Sequence, residues 1–292
     1  MPELYECHGH LMMDGADFAA ARRRHADGVD MAALRENLRA LQRAGVVWFR
    51  DGGDALGVSA AGRALAGEYG ITCVTPVFAI HKKGRYGSIV GRSFSDLEEY
   101  RTLVAQARGA GCDFIKLMFS GIITFAAYGE LSCPGLDPAE IRALVEIAHD
   151  AGFPVMAHVN GADTVRAAIA AGTDSIEHGY FMDEDCLALL AESDSIWVPT
   201  VAATAAFDGR PGFDPVAGAR TWRTQLDCVR RAADLGAVLA CGSDAGAVGV
   251  PHGAGAAKAL ELLRSAGLTG DRIAAGNAAL RERFCPRGGN TV

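Results

Sequence analysis

The residues of this chain that could do chemistry begin at once. The stretch Leu4-Tyr5-Glu6-Cys7-His8-Gly9-His10 puts two imidazoles two positions apart. Read as a strand, whose side chains alternate faces, it points His8 and His10 the same way, and the glycine between them leaves room for an ion. Two neutral imidazoles converging from a strand end are half a coordination shell for zinc, iron, nickel or manganese. A His-X-His pair by itself also arises by chance. Here, however, later apolar runs end in ligand-type residues too: Lys116, His158, His178 and Asp244. Taken singly, Lys116 could be a snorkelling lysine or a Schiff-base nucleophile. Likewise His158 and His178 could be satisfied core histidines, and Asp244, in Gly-Ser-Asp-Ala-Gly, a turn or N-cap residue. Those separate explanations do not account for five strands ending this way together, and a metal centre does.

Such residues need elements that bring them to one place. Eight strand-like apolar runs, at 4–10, 45–53, 71–80, 112–118, 153–158, 173–179, 196–201 and 237–244, are each followed by a helical segment or a long loop and helix. The helical segments fall at about 31–44, 59–69, 96–110, 138–151, 162–171, 183–192, 216–235 and 254–266, with 81–95 left as a long basic loop. Asp137-Pro138-Ala139-Glu140 offers an N-cap, a first-turn proline and a capping-box glutamate. Continuously apolar strands alternating with helices mean a parallel sheet, and eight units closing on themselves mean a (β/α)8 TIM barrel. The rival, an open doubly wound sheet, asks for a Gly-rich phosphate loop after the first strand, and Cys7-His8-Gly9-His10 is not one. In a barrel the C-terminal strand ends share one mouth, so all six ligand-type residues are expected at one rim.

Composition narrows the partners. The 292 residues are 50% hydrophobic and 22% charged, enough to bury a large core in a single domain over 1–292. A net charge of -7 argues against nucleic acid or an anionic membrane surface, which need a basic face, and leaves a small-molecule substrate. Assembly into a homo-oligomer stays open. Met1-Pro2-Glu3 begins no targeting segment, and no apolar run reaches the length of a membrane span, so a cytoplasmic protein is expected. The eight cysteines are scattered without a C-x-x-C, which fits reduced core thiols better than a disulfide framework.

The ordered set of His-X-His on strand one, lysine on strand four, histidines ending strands five and six and aspartate on strand eight resembles the amidohydrolase superfamily. Ser-Ile-Glu-His-Gly at 175–179 and Gly-Ser-Asp-Ala-Gly at 242–246, with Pro251-His252-Gly253 after it, are similar to its imidazolonepropionase-like and Xaa-Pro dipeptidase-like branch. The resemblance implies a binuclear hydrolase of an amide, peptide or cyclic amide carbonyl. Two divalent ions, zinc in the first instance, would be held by His8, His10 and Asp244 on one side and His158 and His178 on the other. Lys116 would bridge them as N6-carboxylysine formed with carbon dioxide: an ammonium repels cations, whereas a carbamate offers anionic oxygens to ions roughly 3.5–4 Å apart. Water activated between the ions would attack the carbonyl, with Asp244 as general base.

A mononuclear imidazolonepropionase-like hydrolase or deaminase, in which Lys116 binds no metal, is the alternative. Deaminases usually add a glutamate acid near the strand-five histidine, and Asn160-Gly161 supplies none. Lactone or ester hydrolysis at the same site stays open, and so does a silent barrel that binds a small molecule, although the complete ligand set counts against the last. Most relatives add a β-sandwich, yet only seven residues precede His8, so a barrel without that domain, or an incomplete chain, is expected. Substrate groups are sought in the long loops. Lys82, Lys83, Arg85, Tyr86 and Arg92 form a basic cluster after strand three, suited to a carboxylate or simply to solvent. Tyr128, Asn160, Tyr180 and His252 are polar groups placed to face the substrate. Arg50-Asp51, ending strand two, is suited to orienting a ligand histidine or supporting the rim.

Overall fold

The computed structural model describes residues 3–285; positions 1–2 and 286–292 of the expected domain, with Met1 and Pro2 of its start, lie outside the described residues. The strands are β1 (Leu4–Gly9), β2 (Val46–Asp51), β3 (Thr72–Val74), β4 (Ala79–Lys82), β5 (Gly91–Phe94), β6 (Ile115–Met118), β7 (Val155–Val159), β8 (Ser175–His178) and β9 (Ile196–Val198). All pair in parallel, in two sheets ordered β1-β2-β3 and β5-β4-β6-β7-β8-β9. Helices alternate with the strands, and the whole is a TIM-barrel-like α/β fold.

The sheets meet along two seams. At one, the Asp113 N–H donates to Thr75 O at 2.9 Å. At the other, the eighth run lies between β9 and β1: Ala240 N–H donates to Trp197 O at 2.9 Å, Cys7 N–H to Cys241 O at 2.9 Å and Asp244 N–H to His8 O at 2.8 Å. The run expected at 237–244 is therefore in its barrel place but forms isolated bridges instead of a ladder. Side chains have taken its donors: Asn277 Oδ1 accepts from Cys241 N–H, and Glu6 from Ser243 N–H.

The third run, expected as one strand at 71–80, is divided. Pro76 has no N–H to give a ladder and Val77 has a φ of 67°, so β3 stays with the first sheet and β4 joins the second. The stretch 81–95, expected as loop, contains β5, which pairs with β4 from Ala79↔Gly91 to Lys82↔Phe94. Gly91 is required there, since a Cβ would come within 2.6 Å of Ala79 O.

Alternation along the strands sorts the core. Ile115 and Leu117 of β6, with Val155 and Ala157 of β7, face outward onto Ile141, Leu144 and Val145 of the helix Pro138–Asp150. Phe114 and Met156 face inward, packing with Trp48, Val74, Ile196 and Val198 inside the barrel. Helix Gly270–Phe284, unforeseen in the sequence and capped by Thr269, closes the N-terminal end of the strands with Leu280 and Phe284. Six further helices start on aspartate N-caps: Asp17, Asp30, Asp96, Asp137, Asp183 and Asp214. The eight cysteines are unpaired, six of them buried. Among the described residues, no helix is long and apolar enough to cross a membrane.

Asp174, at the entrance of β8, ties three elements together. It accepts from His149 Nε2 at 2.8 Å, Val155 N–H at 2.8 Å and Arg283 Nη1 at 3.0 Å. Burial works to raise its pKa, but these donors hold it below its ordinary 3.8; Asp174 in turn holds His149 above its ordinary 6.5. The His149 contribution to stability is fully present below 6.5 and lost as pH rises through the higher folded value, whereas that of Asp174 is lost as pH falls below 3.8. Urea denaturation of wild type and His149→Gln should therefore show the larger stability gap near about pH 5 and a smaller one near about pH 8.5. A gap independent of pH would show that the pair carries no charge coupling.

Candidate metal centre

The six ligand-type residues do meet at one mouth. The His8 and His178 ring centroids are 4.9 Å apart, His8 and His10 5.4 Å, and His158 and His178 4.6 Å. The side-chain ligand atoms of His8, His10 and Asp244 lie within 4.8 Å of one another. Gly9 has another use than the one expected. It faces away from the imidazoles, and a Cβ on it would stand 2.8 Å from the Phe49 ring, so the glycine makes room for the packed layer outside the barrel and not for an ion.

Three of the four imidazoles are held by the other nitrogen, which fixes the lone pair each presents; among the described residues His10 Nδ1 has no hydrogen-bond partner. His8 Nδ1 donates to Glu177 Oε2 at 2.6 Å, leaving Nε2 as acceptor. His178 Nδ1 donates to Thr200 Oγ1 at 2.8 Å, and His158 Nε2 to Gly121 O at 3.2 Å. His8 Nε2 and His10 Nε2 both face Asp244 Oδ1, at 3.6 and 3.4 Å. Two imidazole nitrogens and a carboxylate oxygen converging this closely suit a cation among them. Burial, with the Lys116 charge second, pushes the His10 and His158 pKa values down to about 3. Burial likewise drives His8 well below the ordinary imidazole range, and so it does His178, where His158 is the second cause. All four rings are thus neutral and ready to ligate.

Lys116 Nζ is buried and, among the described residues, has no hydrogen-bond partner. Burial lowers its pKa to about 8 against the pull of Glu177 and Asp244. Asp244 is raised by burial to about 6. An amine so placed is more readily deprotonated than an ordinary lysine, and its orphaned nitrogen leaves a place for a group carried on it beside the histidines.

Beneath the rim runs a buried network in which Arg50 and Asp51 are expected from the sequence and Glu177 and Glu6 are not. Glu177 accepts from His8 Nδ1, from Arg50 Nη2 at 2.7 Å and from Ser175 Oγ at 2.5 Å. Arg50 also donates to Cys7 O at 2.7 Å and Ser175 Oγ at 2.8 Å, and its guanidinium lies 4.4 Å from the Phe284 ring centroid. It orients His8 only through Glu177, while Asp51 accepts from Leu11 N–H and Ser59 Oγ and so braces the rim. Glu6, raised by burial to about 8, holds the Asp244 turn through Ser243 N–H and Oγ. The one local sign of Glu177 is a carboxylate directly before a candidate ligand, in the strand Ser175-Ile176-Glu177-His178.

Strand alternation alone would turn Glu177 inward and His178 outward. The φ of 66° at His178 brings both inside, and Asp244 after Ser243 does the same with a φ of 65°. Left-handed backbone at non-glycine residues costs about 1–3 kcal/mol each and is kept where a site needs the side chain.

A cavity of about 440 Å³ opens above the six residues. Of the substrate-facing candidates, Tyr86 and Tyr180 line it; the Tyr86 ring lies 4.9 Å from that of His158, and the Tyr180 hydroxyl is taken up by Thr200 at 2.8 Å. The other four do not. Asn160 is buried, donating to Gly121 O and accepting from Tyr180 N–H, and His252 donates to Met13 O. Tyr128 packs on Phe181 under the Arg220 guanidinium, and Arg85 is exposed. The basic cluster is spent elsewhere: Lys82 donates to both oxygens of Glu140, which therefore forms no capping box, and Arg92 stacks on Phe78. The walls come from residues not singled out in the sequence, among them Phe125, Phe207, Arg210 and Phe213, in loops without periodicity.

A TIM-barrel-like α/β fold with imidazoles, a buried lysine and an aspartate gathered at its C-terminal mouth is what residues 1–269 share with the amidohydrolase family, whose model they match and to which the chain belongs. It is similar to the ochratoxinase of Aspergillus niger, 27% identical over 228 residues, 68% of this chain and 47% of that protein. An uncharacterized protein of Mycobacterium tuberculosis is 32% identical over 134 residues, 46% of this chain and 35% of the other. The chain thus spans about half or less of the length of these curated relatives. Among solved structures, an Xaa-Pro dipeptidase superposes with a TM-score of 0.77 at 24% identity, covering 97% of this chain and 76% of the other. The A. niger ochratoxinase superposes with a TM-score of 0.75 at 21% identity, covering 98% and 72%.

Removing the charge of Glu177 tests the network. Glu177→Gln should lower metal affinity or activity by about 10–100-fold, because His8 loses the acceptor that fixes its tautomer. It should also destabilise the fold by about 3–5 kcal/mol, because the Arg50 guanidinium is left buried without its carboxylate. Metal titration and denaturation read the two effects, and an unchanged protein in both would remove Glu177 from the centre.

Proposed function

We propose that this protein is a hydrolase of amide bonds in small molecules that works with two divalent ions, zinc being suited to the imidazole-rich donor set, and with Lys116 carboxylated. The observation that carries this reading is the unpartnered, buried Lys116 nitrogen standing among four neutral imidazoles and Asp244. His8, His10 and Asp244 would hold one ion and His158 and His178 the other, with Lys116 between them. When bound, such ions polarise a carbonyl and acidify water.

The chain's own groups do the rest. Asp244, raised to about 6, is ionised at neutral pH and takes the proton of the attacking water, then returns it to the leaving nitrogen. Glu177 keeps His8 in one tautomer throughout. The Tyr86 phenol, kept protonated by burial, faces the cavity as a donor to substrate. Apolar walls exclude water from the acyl group. The names of the similar proteins, a dipeptidase and an ochratoxinase, favour an amide over an ester.

Elemental analysis of protein purified with bicarbonate and without chelator should find about two ions per chain, and Lys116→Ala should lower both metal content and turnover. Asp244→Asn should lower kcat by about 10²–10⁴-fold. About one ion, with activity kept by Lys116→Ala, would replace this reading by a mononuclear one; none after reconstitution would end it.

A further inference from the structure

Apart from the six residues of the centre, one charged side chain among the described residues lines the cavity: Arg210. Its guanidinium stands 5.6 Å from the Phe207 ring centroid, and among the described residues it has no carboxylate partner. Beside it is an aromatic wall. Phe125 and Phe207 stack at 4.3 Å with 16° between planes, and Phe213 sets its ring across both, at 79° and 90°. The wall joins two loops, the Asp214 N–H donating to Phe125 O at 3.2 Å. The cations nearest in sequence to the mouth cannot share this task, since Lys82 is paired with Glu140, Arg92 lies on Phe78, and Arg85 does not line the cavity.

We propose that the cavity selects amides that carry a bulky apolar group, best an aromatic one, against Phe125, Phe207 and Phe213, together with a carboxylate held by Arg210. The assignment rests on the hydrolase reading for its reaction but on the wall and Arg210 alone for its ligand. An apolar wall supplies affinity with little discrimination, whereas one weakly hydrated guanidinium at its edge offers paired donors that match a carboxylate. A neutral ligand leaves that cation without a partner, and a cationic one is repelled by it.

Binding of 3-phenylpropanoate and of its uncharged counterpart 3-phenylpropanamide to the metal-loaded protein, by calorimetry, tests the ligand without requiring turnover. Wild type should favour the carboxylate. Arg210→Gln should weaken the carboxylate by about 10–100-fold and leave the amide unchanged, while Phe207→Ala should weaken both. Carboxylate affinity that survives Arg210→Gln would put the anion on the metal centre and overturn the assignment; so would failure of wild type to bind either compound. Turnover of N-acetyl-L-phenylalanine reads the reaction separately. Discrimination by Arg210 without turnover would uphold the pocket and remove the hydrolase.

Discussion

Glu177 receives hydrogen bonds from His8 on β1, Arg50 on β2 and Ser175 on its own strand, all buried in the interior of the barrel. A carboxylate so buried is tolerable only because a guanidinium is beside it, and the guanidinium is supported further by Cys7 O at its Nε and Ser175 Oγ at its Nη1. The arrangement crosses from one sheet to the other, so the position of His8 at the rim is set by a charge pair lying below it. The pair also explains why a long helix folds under the barrel: Phe284, near the end of that helix, covers the Arg50 plane.

Above this pair the electrostatics change character. Four imidazoles within contact of one another cannot all carry protons, and burial drives each toward its neutral form. Asp244 and Lys116 shift in opposite directions for the same reason, each toward neutrality. The protein therefore keeps ready, at some cost in stability, a set of lone pairs with little positive charge among them. The left-handed backbone at His178, Thr200 and Asp244 belongs to the same expense, since these three residues end consecutive runs of the barrel.

The parts legible in sequence were those that depend on strand direction and period. His8, His10, Lys116, His158, His178 and Asp244 sit at the ends of parallel runs, so knowing the fold class places them at one mouth. Glu177 was not legible, because its partners lie on other strands and no local spacing encodes a pairing across the barrel. Nor was the division of the third run, where Pro76 and the positive φ of Val77 override the apolar pattern on both sides. The loops were read least well. A basic cluster in sequence became an ion pair with a helix start and a stack on Phe78, while Arg210, isolated in sequence, came to line the cavity. Loop side chains are placed by tertiary contacts that composition does not carry.

The two seams divide the site as well as the sheet. His8 and His10 belong to the three-stranded sheet, Lys116, His158 and His178 to the six-stranded one, and Asp244 to the irregular run that joins them. No half of the site exists until the halves of the barrel have met. A ligand gripping both halves acts as a clasp: it binds the closed barrel, not the chain with its seams parted, and so draws the equilibrium toward closure by mass action. Occupancy of the site and integrity of the barrel are in that sense one equilibrium seen from two ends.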